Sequence, residues 1–199
     1  MSVLVTKEAP DFVAPAVMPN GIIKDDFALS DLKGKYVMLF FWPLDFTFVC
    51  PTEIIAHDKR IEEFKKRGVE VVGVSIDSQF THFAWRDIPP EKGGIGKVQF
   101  PMVADVKHRI TQAYGIEHPD GVALRASFLI DRDGIVQHQV VNNLPLGRNI
   151  DEMLRVIDAL QFTEEHGEVC PAGWQKGEDG MKASTDGVAD YLASHSKDL

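Results

Sequence analysis

The sequence predicts an α/β fold with a central mixed sheet flanked by helices. The main observation is the continuous apolar run 35–42, KYVMLFFW, which is typical of a strand buried on both faces. Apolar residues at helical spacing follow in 52–67, and the β-branched segment 69–76 predicts a second strand. Strand, helix and strand in this order form a right-handed crossover unit with parallel strands.

Two hairpins complete the predicted sheet. The turns are Asn20-Gly21, a strong two-residue turn signal, and Arg132-Asp133-Gly134. Each turn lies between two strand-like segments: 13–18 and 22–29 for the first, 126–131 and 135–141 for the second. Antiparallel hairpins added to a parallel crossover unit make the sheet mixed.

Further elements are predicted between and after the hairpins. The expected helices cover 77–85, 107–114 and 149–162, and a short strand covers 101–104. Beyond Phe162 the apolar periodicity stops. We therefore divide the chain into one α/β domain, 1–162, and a polar C-terminal arm, 163–199, which is expected to pack on another surface.

Composition and charge exclude several classes of protein. The 199 residues are 44% apolar and 26% charged, as in an ordinary globular domain, so extensive disorder is excluded. A net charge of −9 disfavours nucleic acid and anionic membranes as partners. The longest apolar run, 37–44, is too short to cross a bilayer, and residues 1–10 do not resemble a secretory signal. We expect a cytoplasmic protein.

The two cysteines, Cys50 and Cys170, are the residues best suited to chemistry. They do not form a Cys-x-x-Cys pair, and two cysteines in a reducing compartment do not indicate a structural disulfide. The seven histidines lack metal-binding spacing, and no Gly-x-Gly-x-x-Gly loop marks a nucleotide site. We therefore expect no metal and no bound cofactor.

Cys50 is predicted at the junction of the first buried strand and the following helix. Pro51 fits only the first turn of a helix, which places Cys50 at the helix N-terminus. Unpaired N–H groups and the helix dipole favour a thiolate there. Thr47 can cap the helix or hydrogen-bond the sulfur. An unreactive buried thiol is the alternative, but a strand-to-helix junction favours a functional cysteine.

Two segments resemble motifs of one enzyme family. Pro43, Thr47 and Cys50 match the Pro-x-x-x-Thr-x-x-Cys motif of the peroxiredoxins, and FTFVCPTE at 46–53 is similar to their typical two-cysteine subfamily, which includes the alkyl hydroperoxide reductase C and thioredoxin peroxidase proteins. EHGEVCPAGW at 165–174 resembles the resolving-cysteine segment of that subfamily. The resemblance covers nearly the whole chain. It implies a thioredoxin fold with peroxiredoxin additions, and a thiol peroxidase acting on hydrogen peroxide and organic hydroperoxides.

The resemblance also implies a role for each matched residue. Cys50 is the peroxidatic nucleophile, Thr47 orients the thiolate and the peroxide, and Pro43 shields the sulfur. Arg125, which precedes a predicted strand, supplies a cation beside the sulfur. Two further residues are expected to hold that arginine in place: Glu53 and Arg148.

The product at Cys50 is a sulfenic acid, which condenses with a second thiol to a disulfide. The resemblance implies that Cys170 of a partner chain supplies that thiol, whereas the residues alone leave an intrachain bridge open. Thioredoxin or a flavoprotein disulfide reductase is implied as the electron donor. A homodimer that assembles to a decamer is also implied, with Phe80 and Thr81 at the contact between dimers.

Two segments depart from the family members that are easily overoxidised, which carry Gly-Gly-Leu-Gly in a loop and Tyr-Phe near the C-terminus. The corresponding residues in this chain are Gly93, Gly94, Ile95 and Gly96 in the loop, and Tyr191 and Leu192 near the C-terminus. Leucine preserves apolar burial but lacks an aromatic ring. We therefore expect sulfinic acid to form at Cys50 at an intermediate level.

Other functions stay open for the sequence. A redox-switched holdase chaperone or a peroxide sensor is the main alternative, although a sensor does not need a peroxide-orienting threonine. A thiol–disulfide oxidoreductase requires Cys-x-x-Cys, and position 53 is a glutamate. A cysteine hydrolase requires a histidine in contact with the thiol, and His57 lies about 10 Å along a helix from Cys50.

Overall fold

The described part of the chain forms a seven-stranded mixed sheet. The computed structural model describes residues 3–197. The strands are β1 (Val13–Val17), β2 (Ile23–Ala28), β3 (Tyr36–Phe41), β4 (Val69–Ser75), β5 (Met102–Ala104), β6 (Arg125–Ile130) and β7 (Val136–Asn142). Their order in the sheet is β2-β1-β5-β4-β3-β6-β7. The predicted α/β class with a mixed sheet is therefore confirmed.

Residues 3–197 contain six α-helices. They are α1 (Cys50–Lys59), α2 (Ile61–Lys66), α3 (Gln79–Arg86), α4 (Arg109–Ala113), α5 (Ile150–His166) and α6 (Thr185–His195). Short 3₁₀ turns cover Leu29–Leu32 and Pro90–Lys92. The 3₁₀ turns and α6 were not predicted, and α6 lacks a periodic signal because none of its side chains is buried.

The single helix predicted over 52–67 is wrong. At Arg60 the backbone leaves the helical region (φ −106°, ψ 8°), so α1 ends at Lys59 and α2 begins at Ile61. The Arg60 N–H bonds three residues back, to the carbonyl of His57, as in a 3₁₀ turn. Sequence periodicity does not detect this break because the apolar residues keep helical spacing across it.

Strand pairing confirms the crossover unit and both hairpins. β3 and β4 are parallel, from Tyr36 opposite Val69 to Phe41 opposite Val74. β1 pairs antiparallel with β2, and β6 pairs antiparallel with β7. β3, which is buried along its whole length, therefore lies between β4 and β6 and directs the chain to the start of α1.

The side chains of β3 alternate between two apolar layers. Phe41 packs against Tyr114 and Phe128, with ring centroids 5.3 Å and 5.9 Å away. On the opposite face Phe40 stacks on His57 of α1 at 3.9 Å. These buried aromatic contacts hold the end of β3 and, through His57, the last turn of α1.

The chain divides into two compact units, one ending at Ile150 and the other beginning at Asp151. The functional boundary between 162 and 163 stays a prediction. Within residues 3–197, every helix falls short of the length and apolar character that a membrane span requires.

Candidate active site

Buried polar contacts hold the loop that joins β3 to α1. Trp42 Nε1 donates to Asp45 Oδ1 at 2.8 Å, and His82 Nδ1 on α3 lies 2.7 Å from Asp45 Oδ2. The Asp45 backbone N–H donates to Asp77 at 2.8 Å. Burial raises the pKa of Asp45, an effect that its hydrogen bond with His82 opposes. Asp45 therefore ties the loop to β3 and α3.

Asp45 and His82 are site residues that the sequence analysis missed. The available signal was a carboxylate within an otherwise apolar segment, since a buried carboxylate requires a partner. Nothing in the sequence identified that partner, because His82 is 37 positions away.

The loop makes a sharp turn at Phe46. This residue has a left-handed backbone (φ +57°), which costs a bulky side chain about 1–2 kcal/mol. Its ring packs on Trp85 of α3, with centroids 5.5 Å apart. The turn comes directly before Thr47, and Pro43 is buried near the beginning of the same loop.

Cys50 is the first residue of α1 and is fully buried, with Pro51 in the first turn as predicted. Thr47 Oγ1 lies 2.9 Å from Cys50 Sγ and 2.8 Å from the Leu44 carbonyl oxygen. A hydroxyl has one hydrogen, so it donates to only one of these atoms at a time. With a thiolate it donates to Sγ; with a thiol, S–H donates to Oγ1 and the hydroxyl donates to Leu44.

The Arg125 guanidinium completes the surroundings of the sulfur. Arg125 begins β6 and is almost fully buried. Its Nη1 lies 3.4 Å from Cys50 Sγ and donates to Glu53 Oε2 at 2.8 Å, while Nε donates to the Leu144 carbonyl at 2.6 Å. Glu53 and Leu144 thus orient the guanidinium, and Nη1 is left with a second N–H that can point at the sulfur.

Arg148 surrounds the same carboxylate from the other side. Its backbone N–H and Nε both donate to Glu53 Oε1, at 2.9 Å and 2.8 Å, and Nη2 donates to Oε2 at 2.9 Å. Nη1 donates to the Ala126 carbonyl and, at 3.1 Å, to Ser127 Oγ. The structure therefore brings Glu53, Arg125 and Arg148 together, as the resemblance implied.

The charges of this buried cluster do not cancel. Burial opposes ionisation of Glu53, but the hydrogen bonds and charge of Arg148, together with Arg125, outweigh it and hold the Glu53 pKa below its usual value. Two arginines and one carboxylate carry a net charge of +1. This positive charge lies beside the Cys50 sulfur, which Arg125 Nη1 approaches to 3.4 Å.

His57 lies behind this cluster and is fully buried. Its Nδ1–H donates to the Glu53 carbonyl at 2.7 Å, and its Nε2 is buried without a hydrogen-bond partner. Burial lowers the pKa of His57 to about 3, and the charge of Arg148 acts in the same direction. Neutral His57 therefore serves as a flat packing group against Phe40.

We expect His57 to destabilise the fold as the pH falls. Between its usual pKa of about 6.5 and the folded value, the unfolded chain binds a proton that the folded chain does not. The free energy of unfolding is unaffected by His57 above about pH 6.5. Below that pH it falls by up to about 1.4 kcal/mol for each pH unit. Urea unfolding at several pH values should show that the free energy of unfolding falls less steeply with decreasing pH in His57→Phe than in the parent. Equal slopes in both proteins would contradict this role.

Residues assigned to assembly lie at the start of α3. The Phe80 side chain is 67% exposed. Thr81 donates its backbone N–H to Ser78 Oγ at 3.2 Å, so Ser78 caps the helix. The assembly role of Phe80 and Thr81 stays a prediction.

The loop 93–96 requires glycine for its geometry. Gly93 and Gly96 have positive φ angles of +82° and +68°. A Cβ on Gly94 would lie 1.9 Å from the carbonyl oxygen of Ile88, which no side chain tolerates. The glycines are therefore explained by close backbone packing as well as by the resemblance.

Tyr191 and Leu192 both lie on α6, in the second unit. The Tyr191 ring stacks on His195 at 4.2 Å, and Leu192 is 42% exposed. The intermediate level of sulfinic acid formation stays a prediction.

Cys170 is half-buried in the same unit, and both cysteines are free thiols. Among residues 3–197, His, Cys, Asp and Glu side chains do not gather into a group that could hold a metal ion.

Comparison with known proteins identifies the family. Residues 5–139 match the AhpC/TSA family, and residues 159–194 match the C-terminal domain of 1-Cys peroxiredoxin. Alkyl hydroperoxide reductase C of Helicobacter pylori is 60% identical over 97% of this chain and 98% of its own length. Alkyl hydroperoxide reductase C of Buchnera aphidicola subsp. Schizaphis graminum is 58% identical over 96% of this chain and 98% of its own length.

A solved structure agrees with these sequence matches. Reduced 2-Cys peroxiredoxin of Plasmodium vivax superposes with a TM-score of 0.94 at 50% identity, over 97% of this chain and all of that one. The predicted thioredoxin-like architecture is confirmed. This chain belongs to the AhpC/TSA family of peroxiredoxins and is a thiol-dependent peroxidase.

Proposed function

We propose that Cys50 is the peroxidatic residue and that its substrates are hydrogen peroxide and organic hydroperoxides. The observation that carries this assignment is the position of its sulfur, 2.9 Å from Thr47 Oγ1 and 3.4 Å from Arg125 Nη1. A hydroxyl and a guanidinium beside one sulfur supply donors for a thiolate and for the oxygens of a peroxide.

The first step is attack of the Cys50 thiolate on one peroxide oxygen. The S–O bond forms as the O–O bond breaks, and the departing oxygen takes a proton to leave as water or an alcohol. Negative charge moves from sulfur to the departing oxygen in this step. Arg125 and Thr47 stabilise that charge without rearrangement, since Glu53 and Leu144 already hold the guanidinium. Pro43 is assigned to shielding the sulfur.

The second step forms a disulfide with Cys170. Its thiolate attacks the sulfenic sulfur of Cys50, the S–S bond forms as the S–O bond breaks, and hydroxide leaves and is protonated to water. We assign this thiol to a partner chain. Thioredoxin or a flavoprotein disulfide reductase then returns both cysteines to thiols, in the cytoplasm as the proposed compartment.

The proposed assembly is a homodimer that forms decamers. β7 lies at one edge of the sheet, and Val136 at its start bonds to the backbone of Thr6 and Lys7. An edge strand is a template for pairing with a second copy. The exposed Phe80 ring on α3 supplies a separate apolar contact for assembly of dimers.

Stopped-flow fluorescence tests the assignment. Reduced protein is mixed with one equivalent of hydrogen peroxide, and tryptophan emission is followed. Trp42 bonds to Asp45 and Trp85 packs on Phe46, so both report on the active-site loop. We expect a first phase far faster than the reaction of free cysteine thiolate with peroxide. Cys50→Ser should lack this phase. Cys170→Ser should keep it and lack only the slower second phase. A rate no better than free thiolate would contradict the assignment and favour the sensor or holdase.

A further inference from the structure

Arg86 is a buried cation that lacks an acidic partner. It is the last residue of α3 and is only 4% exposed. Its Nη1 donates to the Met18 carbonyl at 2.6 Å, and its Nη2 donates to the carbonyls of Pro19 and Val98, both at 2.9 Å. Within residues 3–197 these three carbonyls are its hydrogen-bond partners, and no carboxylate pairs with it. Burial of a charge without a counter-charge is costly, so this position favours a nearby anion.

The Arg86 guanidinium also has donors to spare. Arginine has five N–H groups, and carbonyl oxygens accept from only three of those of Arg86. Burial lowers the pKa of Arg86, and the charges of Asp87 and Asp58 oppose this effect. Asp58 itself accepts a hydrogen bond from the Gln99 backbone at 2.7 Å. Both carboxylates therefore act on Arg86 from a distance and leave it without a counter-charge in contact.

A cavity of about 360 Å³ opens beside Arg86. One wall is the turn between β1 and β2. The Gly21 N–H donates to the Met18 carbonyl at 2.8 Å, and the Ile22 N–H donates to Asn20 Oδ1 at 3.0 Å, so hydrogen bonds within the turn hold this wall. The cavity is therefore formed before any ligand enters. Further lining residues belong to α3 and to the segment between α3 and β5: Phe83, Asp87 and Lys97.

The lining combines an excess positive charge with apolar surface. Arg86 and Lys97 carry two positive charges and Asp87 carries one negative charge, which leaves a net charge of +1. Lys97 forms no ion pair in the part of the chain that the structure describes. Phe83 and Ile22 are 42% and 62% exposed, so apolar surface is available at the same cavity. Such a lining suits a molecule with one negative charge and an apolar body.

The cavity lies at the edge of the sheet opposite to Cys50. Val17 at the end of β1 pairs with Met102 at the start of β5. β3, β4 and β5 are parallel, and Cys50 follows the carboxyl end of β3. The turn after β1 is therefore at the amino ends of these strands. A ligand in this cavity is separate from the peroxide site.

We infer that this cavity binds a small monocarboxylic acid with an aromatic or aliphatic body. The carboxylate supplies the counter-charge for Arg86 and Lys97, and the apolar body covers Phe83 and Ile22. Attraction between the charges is strengthened because Arg86 is shielded from water. Asp87 repels a second negative charge, which favours a monocarboxylate over a dicarboxylate or a phosphate.

A purely structural role for Arg86 is the competing explanation. Its three hydrogen bonds fasten the turn at Met18 and Pro19 to α3 and to Val98, and this role requires no ligand. The response of the protein to a carboxylate separates the two explanations. A molecule that binds only the folded chain raises the midpoint of thermal unfolding, whereas a structural clamp alone gives no such response.

The first measurement is calorimetric titration of the reduced full-length protein with phenylpropanoate. Phenylpropanamide, which has the same body without the charge, and acetate, which has the charge without the body, are the matched probes. We expect phenylpropanoate to bind at least about tenfold more tightly than either, because each probe lacks one of the two interactions. Phenylpropanoate should also raise the midpoint of thermal unfolding, and the amide should not.

Substitutions in the cavity identify the residues responsible. Arg86→Met should weaken the binding of phenylpropanoate about tenfold or more, and Lys97→Met and Phe83→Ala should each weaken it at least about threefold. Lys65→Met is the matched control, since it removes an exposed lysine on α2 and should leave the affinity within about twofold. If Arg86→Met does not fold, the Lys97 and Phe83 variants decide, because both change exposed side chains.

Absence of binding, or equal affinities for phenylpropanoate and its amide, would overturn the inference. Unchanged affinity in both Lys97→Met and Phe83→Ala would do the same. A probe that slows the fast phase of the reaction with hydrogen peroxide would bind at Cys50 instead, which also contradicts the inference. The calorimetric result is independent of the proposed function, because it does not depend on the reactivity of Cys50.

Discussion

Replacement of Thr47 by valine is expected to slow the reaction of Cys50 with hydrogen peroxide by a factor of about 10²–10³. Valine has nearly the same shape as threonine but has no hydroxyl, so the donor 2.9 Å from Sγ is lost. The charge that moves along the S–O–O axis then has Arg125 and the helix N-terminus, but no hydroxyl, to stabilise it. The measurement is the second-order rate constant of the fast stopped-flow phase at increasing peroxide concentration.

Thr47→Ser is the matched control for this experiment. Serine keeps a hydroxyl that reaches Sγ and the Leu44 carbonyl, and it should retain most of the rate. Both variants should unfold at similar urea concentrations, because Thr47 is only partly buried. A valine variant that reacts within threefold of the parent would show that Arg125 and the helix N-terminus suffice for activation.

The sequence alone predicted the contacts between site residues that are neighbours in the chain. Pro51 limits where a helix can begin, so the position of Cys50 at a helix N-terminus followed from local rules. The hydroxyl of Thr47 is three residues from the thiol, and its contact with sulfur was one of two foreseen uses.

Contacts between distant parts of the chain could not be derived in this way. Arg125 is 75 positions from Cys50, and its place before a predicted strand does not by itself indicate a contact with the thiol. Family resemblance supplied its place beside the sulfur. Asp45 had only a weak local signal, a carboxylate within an apolar segment, and His82 had none; their pairing depends on how α3 packs against the loop. Side-chain partners of this kind are set by tertiary packing, which periodicity does not encode.

The fold was predicted where burial imposes a strong pattern. β3 and β4 are buried along most of their length, and both were found within one residue of their ends. The break at Arg60 and the helix α6 were missed for opposite reasons. The first interrupts a pattern that continues on both sides, and the second has no buried side chain to create a pattern.

Replacement of Glu53 by glutamine is expected to lower the free energy of unfolding by about 3–5 kcal/mol at neutral pH. The substitution leaves the buried charges of Arg125 and Arg148 without a carboxylate, and the glutamine NH₂ group faces their donors. Arg125 also loses the bond that directs it toward Cys50, so the fast phase with peroxide should slow as well. Urea unfolding at one protein concentration measures the loss.

The pH dependence of this loss identifies its cause. Because the folded-state pKa of Glu53 is lowered, its stabilisation is present above the usual glutamate value of about 4.3 and is lost as the pH falls through the folded value. The difference between the parent and Glu53→Gln should therefore shrink below about pH 4. Glu62→Gln is the matched control, since Glu62 pairs with Lys65 on the surface and should cost less than about 1 kcal/mol. Equal losses in the two variants would show that the buried carboxylate does not hold the two arginines together.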